Sequence, residues 1–450
     1  MSRPVGVVVG GGISGLAAAR TLASSGRDVV VLEAAPTVGG KLRVASVADV
    51  PIDVGAEAML ARRPEGLALL ASLGLTPIEP LTTSASVRAG GALHPLPART
   101  MLGIPGDVDA VRASGVLTPH ALVRIEAEPA LPPLPPIAHD LAVGALVRSR
   151  LGNEAADRLV EPLLGGVYAG RADRLSVQAT MPALFAALHD GGSLVEAAAR
   201  VVGGAVSEGP VFASVPGGLG TVPAALVSSG RFEVRTGVTV RSIRRSGRGF
   251  VLSCGAVPSS YDVAADAVVV ATPAAKAARL LSDVARDAAH ELAGIESASV
   301  AIVSFAFRDV DLPPGSGLLV GMREGLAVKG VTISSQKWPL ETGGLVVLRA
   351  SIGRIGEAHV LQRSDDELIR LAQHELSTLL GISATPEDAI VTRWGGGLPQ
   401  YGVGHVERIA RVRAATANVR GLAVCGAYFD GLGIPACIAS AQLAASSLEE

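Results

Sequence analysis

The residues best equipped for chemistry stand near the start of this 450-residue chain: Gly10-Gly11-Gly12-Ile13-Ser14-Gly15, with Glu33 downstream. Gly10 can make a tight turn, Gly12 lets the backbone approach a pyrophosphate, and Gly15 lets a helix pack close against a strand. A helix opening at such a turn points its unpaired amides at phosphate. Glu33 can accept hydrogen bonds from both hydroxyls of a ribose, and its charge would repel a 2′-phosphate. These residue types in this order bind an adenine dinucleotide.

The flanking sequence supplies the elements that must hold these residues. Val5–Val9 is a β-branched run, and an Ala- and Leu-rich helical pattern follows to about Ser25. Gly26 stops that pattern, and Asp28–Leu32 forms a second apolar strand ending at Glu33. The result is a βαβ unit. At the far end, Leu422–Cys425 is an apolar strand that runs into a turn from Gly426 to Pro435, then an Ala-rich helix from about Ala436 to Leu448. That order aims a second helix N-terminus at the same ligand. Both chain ends therefore belong to one domain with the middle inserted. Arg235–Ile243 and Ala267–Thr272 read as strands returning to it, the second stopped by Pro273.

Composition excludes several classes. About half the residues are apolar (49%) and the formal charge is -2, so nothing favours nucleic acid or anionic lipid as a partner. Cys254, Cys425 and Cys437 are odd in number and scattered, and the eight His show no ligand spacing. They read as reduced thiols of a cytosolic protein with no metal. Arg3 followed by apolar Val5–Ala19 imitates a secretory leader, but the dinucleotide pattern explains every feature of that segment. No stretch offers the ~20 apolar residues of a spanning helix. The expected location is the cytoplasm, at most peripheral to a membrane. There is no nucleophile elbow, no His-centred triad and no paired catalytic carboxylates, so no protein group is assigned as catalytic. A redox cofactor would carry the chemistry.

The identity of that cofactor rests on Gly39-Gly40, which follows Glu33 and precedes Lys41 and Arg43, and on the short strand Ile52-Asp53-Val54-Gly55. A second glycine pair after the ribose-binding acid resembles the amine-oxidase and porphyrinogen-oxidase flavoproteins, and so implies FAD. Further along, Gly55-Ala56-Glu57-Ala58, Arg62-Arg63-Pro64-Glu65, Leu93-His94-Pro95-Leu96-Pro97 and Gly103-Ile104-Pro105 resemble the porphyrinogen oxidases of haem biosynthesis. So do the stretch from Glu161 to Gly170, Val215-Pro216-Gly217-Gly218-Leu219, Arg393-Trp394, Pro399-Gln400-Tyr401 and the Gly431–Cys437 ending. The likeness spans nearly the whole chain in order and is strongest to the soluble bacterial branch that forms coproporphyrin III.

The resemblance implies an α/β fold: a Rossmann-type FAD-binding domain from residues 1–89, 206–274 and 393–450. A helical insertion would occupy 90–205, the counterpart of a membrane-binding domain in relatives, and an α+β substrate domain 275–392. The proline cluster Pro129 to Pro136 would be a stiff connection inside the helical part. Non-covalent FAD would be contacted by Gly10, Gly11, Gly12, Ile13, Ser14, Gly15, Glu33, Ala34, Gly40, Lys41, Arg43, Gly55, Ala56, Glu57 and Ala58. Val238 would lie near the adenine, Trp394 near the flavin, Gly426 in the last turn, and Leu432, Gly433 and Ile434 at the isoalloxazine. Lys41 departs from relatives that carry an aromatic or small residue there.

The implied reaction removes six electrons from coproporphyrinogen III in three rounds, with O2 as final acceptor and H2O2 as product. A chelatase of the haem pathway would be the partner downstream. Four propionates call for cations, and Arg62 and Arg63 stand where relatives hold a basic residue; alternatively they are a solvated pair ahead of a helix. The Gly165–Tyr168 turn, with Gly166 and Tyr168, would line the macrocycle cavity, or Tyr168 is a core aromatic. Protoporphyrinogen IX is the nearest alternative substrate. An amine oxidase, a carotenoid-type desaturase or a non-catalytic FAD-binding protein are more distant alternatives, and the Glu161 to Gly170 stretch argues against the first two.

Overall fold

The structure is a computed structural model that describes residues 5–204 and 209–449; Arg3 and the expected boundary at 205/206 lie outside the described residues. Five parallel strands form the first sheet, in the order Glu233–Arg235, β2 (Asp28–Leu32), β1 (Val5–Val9), Ala267–Val270 and Leu422–Val424. A parallel sheet is covered on both faces, which is why its strands are runs of Val, Leu and Ala. One face packs on α1 (Ile13–Ser24) and the C-terminal helix Ile434–Ser446. The other packs on helices Ala274–Leu281, Arg286–Ala293 and His405–Ala417. Because every strand runs the same way, Gly10, Glu33, Ala271 and Cys425 all emerge at one edge. Both ends of the chain do share this sheet.

A second, seven-stranded sheet has the order Asp388–Pro399, Ser297–Phe307, Val346–Ile352, Val328–Thr332, Gly317–Val320, Ala85–Ala89 and Ala92–Pro95. Helix Asp365–Leu380, opened by a Ser364–Glu367 capping box, covers one face. Two segments pack on the opposite face. A hairpin of β3 (Val44–Val47) and β4 (Val50–Asp53) packs at one end beside Val347 and Trp394. Helix Glu161–Tyr168 presses on the other end, where a Cβ on Gly166 would stand 2.9 Å from Leu319.

The third region is helical, from Val108 to Gly204, around its own core. Its buried hub is Glu128, whose carboxylate accepts from Arg150 at 2.6 Å and from the amides of Leu194 and Val195, capping helix Leu194–Gly204. The proline segment lies against this hub, since Arg150 donates to Pro132 O at 2.7 Å and Leu134 bridges to Gly192.

Several expected boundaries move. The one at 89/90 falls inside the hairpin of Ala85–Ala89 and Ala92–Pro95, which pairs with Gly317–Val320 in the second sheet. The one at 392/393 falls inside strand Asp388–Pro399, which belongs to the same sheet. Edge strands far apart in sequence are recruited by pairing that no local pattern announces. The Arg235–Ile243 segment splits likewise: Glu233–Arg235 joins the parallel sheet, whereas Val240–Ser246 joins a separate three-stranded antiparallel sheet. The Gly165–Tyr168 turn is instead the last turn of a helix, closed by Ala169 in the left-handed region at φ 48°. Among the described residues no helix is long and apolar enough to cross a membrane.

Candidate flavin and substrate site

At the carboxyl edge of the parallel sheet, Gly10 has φ +109°, and a Cβ there would come 2.8 Å from Ala271 O. A Cβ on Gly15 would overlap Gly10 O, so α1 grows directly out of the turn. Gly12 differs, because a Cβ there would meet nothing within 4 Å. Gly40 lies across from it, with Gly12 Cα 3.4 Å from where its own Cβ would be. The two glycines are the lips of an open groove. Gly12 begins α1 with no side-chain cap, and the first turn holds no acid, leaving the positive end uncompensated. Glu33 Oε2 accepts from Gly11 N at 2.5 Å and Oε1 from Ala35 N at 2.7 Å, and each oxygen keeps a lone pair for a further donor. Val238 N donates to Glu33 O at 2.8 Å, setting that half-buried valine beside Glu33, with Ala34 exposed next to it. The hydroxyl of Thr272 is buried at the same edge without a partner among the described residues. An open groove, an uncapped helix end and an orphaned hydroxyl fit a dinucleotide pyrophosphate.

The wall opposite is built from the 41–57 segment and the second sheet. Lys41 donates to Gly397 O at 2.5 Å; its side chain is enclosed by protein yet open to solvent, as expected on an interior cleft. Burial lowers its pKa. Trp394 donates to Val54 O at 2.9 Å, and the Arg43 guanidinium stands 4.9 Å over its ring. A Cβ on Gly55 would overlap Lys41 O, and Ala56 N donates to that same oxygen. Glu57 accepts from Lys337 at 2.6 Å and Arg349 at 2.7 Å, while Arg349 also donates to Gly55 O at 2.6 Å. Burial alone would raise the Glu57 pKa, but the two cations hold it below the usual carboxylate range. With that carboxylate occupied, residues Gly55–Ala58 can offer a cofactor their backbone.

The C-terminal helix closes the groove. Gly433 caps it without a side-chain bond, and Ile434 and Pro435 are buried. Tyr401 fixes the preceding turn: its hydroxyl donates to Ala427 O at 2.7 Å and accepts from Gly431 N at 2.8 Å. Gly426 spends its amide on Ser440 Oγ at 3.2 Å. Cys437 bonds Ser14 and lies near Lys41 and Arg63; burial raises its pKa, with Lys41 the first influence against it. Ser14, Lys41, Arg63 and the Leu432–Ile434 turn therefore surround one space.

On the substrate side, a row crosses the middle of the seven-stranded sheet: Ile302 pairs with Ser351, Ser351 with Gly330, and Gly330 with Leu319. All four are half-exposed between buried neighbours on their own strands, so the row is the floor of a cavity. Gly165 is buried, yet a Cβ there would meet nothing within 4 Å; it borders empty interior space. Tyr168 is buried against Tyr401 at 5.7 Å, with a pKa pushed up to about 12 by burial. Gln400 donates to Tyr168 O at 2.8 Å. Arg62 is exposed and has no partner among the described residues. Arg63 begins helix α2 (Pro64–Ser72) and bonds Glu65 at 3.0 Å.

Sequence reasoning missed Thr272, Lys337, Arg349 and the four-residue floor. Arg349 and the floor residues are placed by strand partners distant in sequence.

A dinucleotide cradle on a parallel sheet, facing a cavity under a mostly antiparallel sheet, is the architecture of a flavoprotein oxidoreductase. Comparison agrees. The family of flavin containing amine oxidoreductases matches residues 13–448, and the chain belongs to it. Its cofactor is FAD. The chain is 39% identical to the coproporphyrinogen III oxidase of Mycobacterium leprae, over 98% of this chain and 97% of that one. It is 30% identical to the protoporphyrinogen oxidase of Bos taurus, over 99% and 98%. A crystal structure of a candidate protoporphyrinogen oxidase from Exiguobacterium sp. 255-15 superposes with TM-score 0.88 at 31% identity, covering all of both chains.

Proposed function

We propose that this protein oxidises coproporphyrinogen III to coproporphyrin III in haem biosynthesis, with O2 as final acceptor and H2O2 as product. The observation that carries the reading is the end-to-end similarity to the M. leprae enzyme of that name, at 39% identity against 30% for the bovine protoporphyrinogen oxidase. The cavity suits a tetrapyrrole macrocycle: its floor spans four strands, about 14 Å at ordinary strand spacing.

Bound FAD would supply the two-electron acceptor, used three times for the six electrons a porphyrinogen must lose. The chain's residues bind and orient. Gly10–Gly15 and the ends of two helices hold the pyrophosphate, and Glu33 holds the ribose. Lys41, Trp394 and Gly55–Ala58 wall the flavin. Arg62 meets a propionate at the cavity mouth, since a guanidinium fork fits a carboxylate. The Gly165–Gly166 segment lines the far wall. The reaction is placed in the cytoplasm, and the porphyrin passes to a chelatase of the same pathway.

An aerobic assay with both porphyrinogens, following porphyrin fluorescence and peroxide, tests the substrate. Faster turnover of coproporphyrinogen is expected; equal or slower turnover overturns the choice. Anaerobic mixing separates an oxidase, whose flavin bleaches, from a binder, whose flavin stays yellow.

A further inference from the structure

Lys329 is a buried cation that the protein leaves nearly unpaired. Only 5% of the residue is exposed. Its one partner among the described residues is Gly165 O, at 3.3 Å, a long bond that uses one of three ammonium donors. Among the described residues no carboxylate bonds or pairs with it. Arg354, a charge of the same sign, acts on it and is itself spent on Leu326 O, Val320 O and Glu357. Burying a cation without a counter-ion is costly, so such a group is retained where an anion arrives from outside.

Two features say where that anion sits. The strand carrying Lys329 has a bulge between Val328 and Gly330, and bulges re-aim side chains beside active sites. Gly330, just past the bulge, belongs to the half-exposed cavity floor, and Lys329 reaches Gly165 on the helix above that floor. Gly165 itself borders empty space. Burial and Arg354 bring the Lys329 pKa down to about 8, which leaves the ammonium mostly charged at neutral pH.

We propose that Lys329 is a specificity-determining residue that receives a carboxylate of the substrate at the inner end of the cavity. This rests on the porphyrinogen reading above and adds a second, interior contact for the propionates of one macrocycle.

The test uses holoenzyme and two forms of the product, coproporphyrin III free acid and its tetramethyl ester, with binding followed by porphyrin fluorescence. Parent enzyme is expected to prefer the acid. Lys329→Met, close in volume, should weaken acid binding about 10- to 100-fold, the range of one charge-assisted hydrogen bond. Ester binding should be unchanged, because the ester offers no charge. KM for coproporphyrinogen should rise with kcat nearly constant. Equal loss for acid and ester would mean that Lys329 only supports helix Glu161–Tyr168, and the proposal falls. No loss for either also ends it. If parent enzyme binds neither form, the porphyrinogen reading itself has failed, a result separate from that of the variant.

Discussion

Replacing Glu57 by glutamine should unseat the flavin wall without altering its shape. Glu57 is bonded to Lys337 at 2.6 Å and Arg349 at 2.7 Å, and these side chains are only 12%, 16% and 8% exposed. Glutamine keeps the volume and loses the charge, leaving two buried cations without the carboxylate that both bond. Removing one member of a buried ionic group costs about 3–5 kcal/mol. Unfolding entropy of about 2.1 cal/mol/K per residue gives roughly 0.9 kcal/mol/K for a chain of this length, so Tm should fall by about 3–5 °C if the chain melts as one unit. The loss should reach the cofactor as well, because Arg349 also donates to Gly55 O beside the proposed flavin contacts. Differential scanning calorimetry and flavin retained after gel filtration measure the two effects. Adding Arg349→Met should recover part of the loss, since it removes one stranded cation. A Glu57→Gln protein that melts within about 1 °C of the parent with full flavin would refute the electrostatic reasoning.

Three further outcomes are expected. Gly12→Ala should fold with normal circular dichroism but bind little FAD, because its Cβ enters the open groove. Gly15→Ala, whose Cβ overlaps Gly10 O, should lose folded protein as well; retention of FAD by Gly12→Ala would move the pyrophosphate elsewhere. Arg62→Ala should raise the apparent KM for porphyrinogen about tenfold at normal flavin content, and Arg63→Ala, engaged by Glu65, should do less. Unchanged kinetics for Arg62→Ala would remove it from the site. His405 is stacked on Tyr401 and bonded to Tyr428 O, and burial lowers its pKa to about 4. The unfolded chain takes up a proton below about pH 6.5 that native His405 refuses, so stability should decline as pH falls from there toward 4, by up to about 3 kcal/mol. His405→Gln should flatten that acid limb in urea melts at about pH 7 and pH 5, and an unaltered slope would assign the loss to other groups.

What could be read from the chain alone was whatever depends on neighbours in sequence. The β1 run of valines, Gly10 to Gly15 and Glu33 announce a dinucleotide turn because strand, glycine loop and helix cap are local events with fixed spacing. The C-terminal strand, turn and helix were legible for the same reason. The porphyrinogen-oxidase motifs then supplied FAD and a substrate class by likeness. Tertiary structure decided the rest. Whether Gly165–Tyr168 is a turn or a helix end depends on Ala169 adopting the left-handed region, where Ile355 N bonds its carbonyl. Glu57 reads as an isolated acid until the fold brings Arg349 and Lys337 against it. The cavity floor exists only because Ile302, Ser351, Gly330 and Leu319 fall in one register across four strands. Strand pairing is a long-range choice settled by burial and register over the whole sheet, so its products leave no mark on any short window of residues.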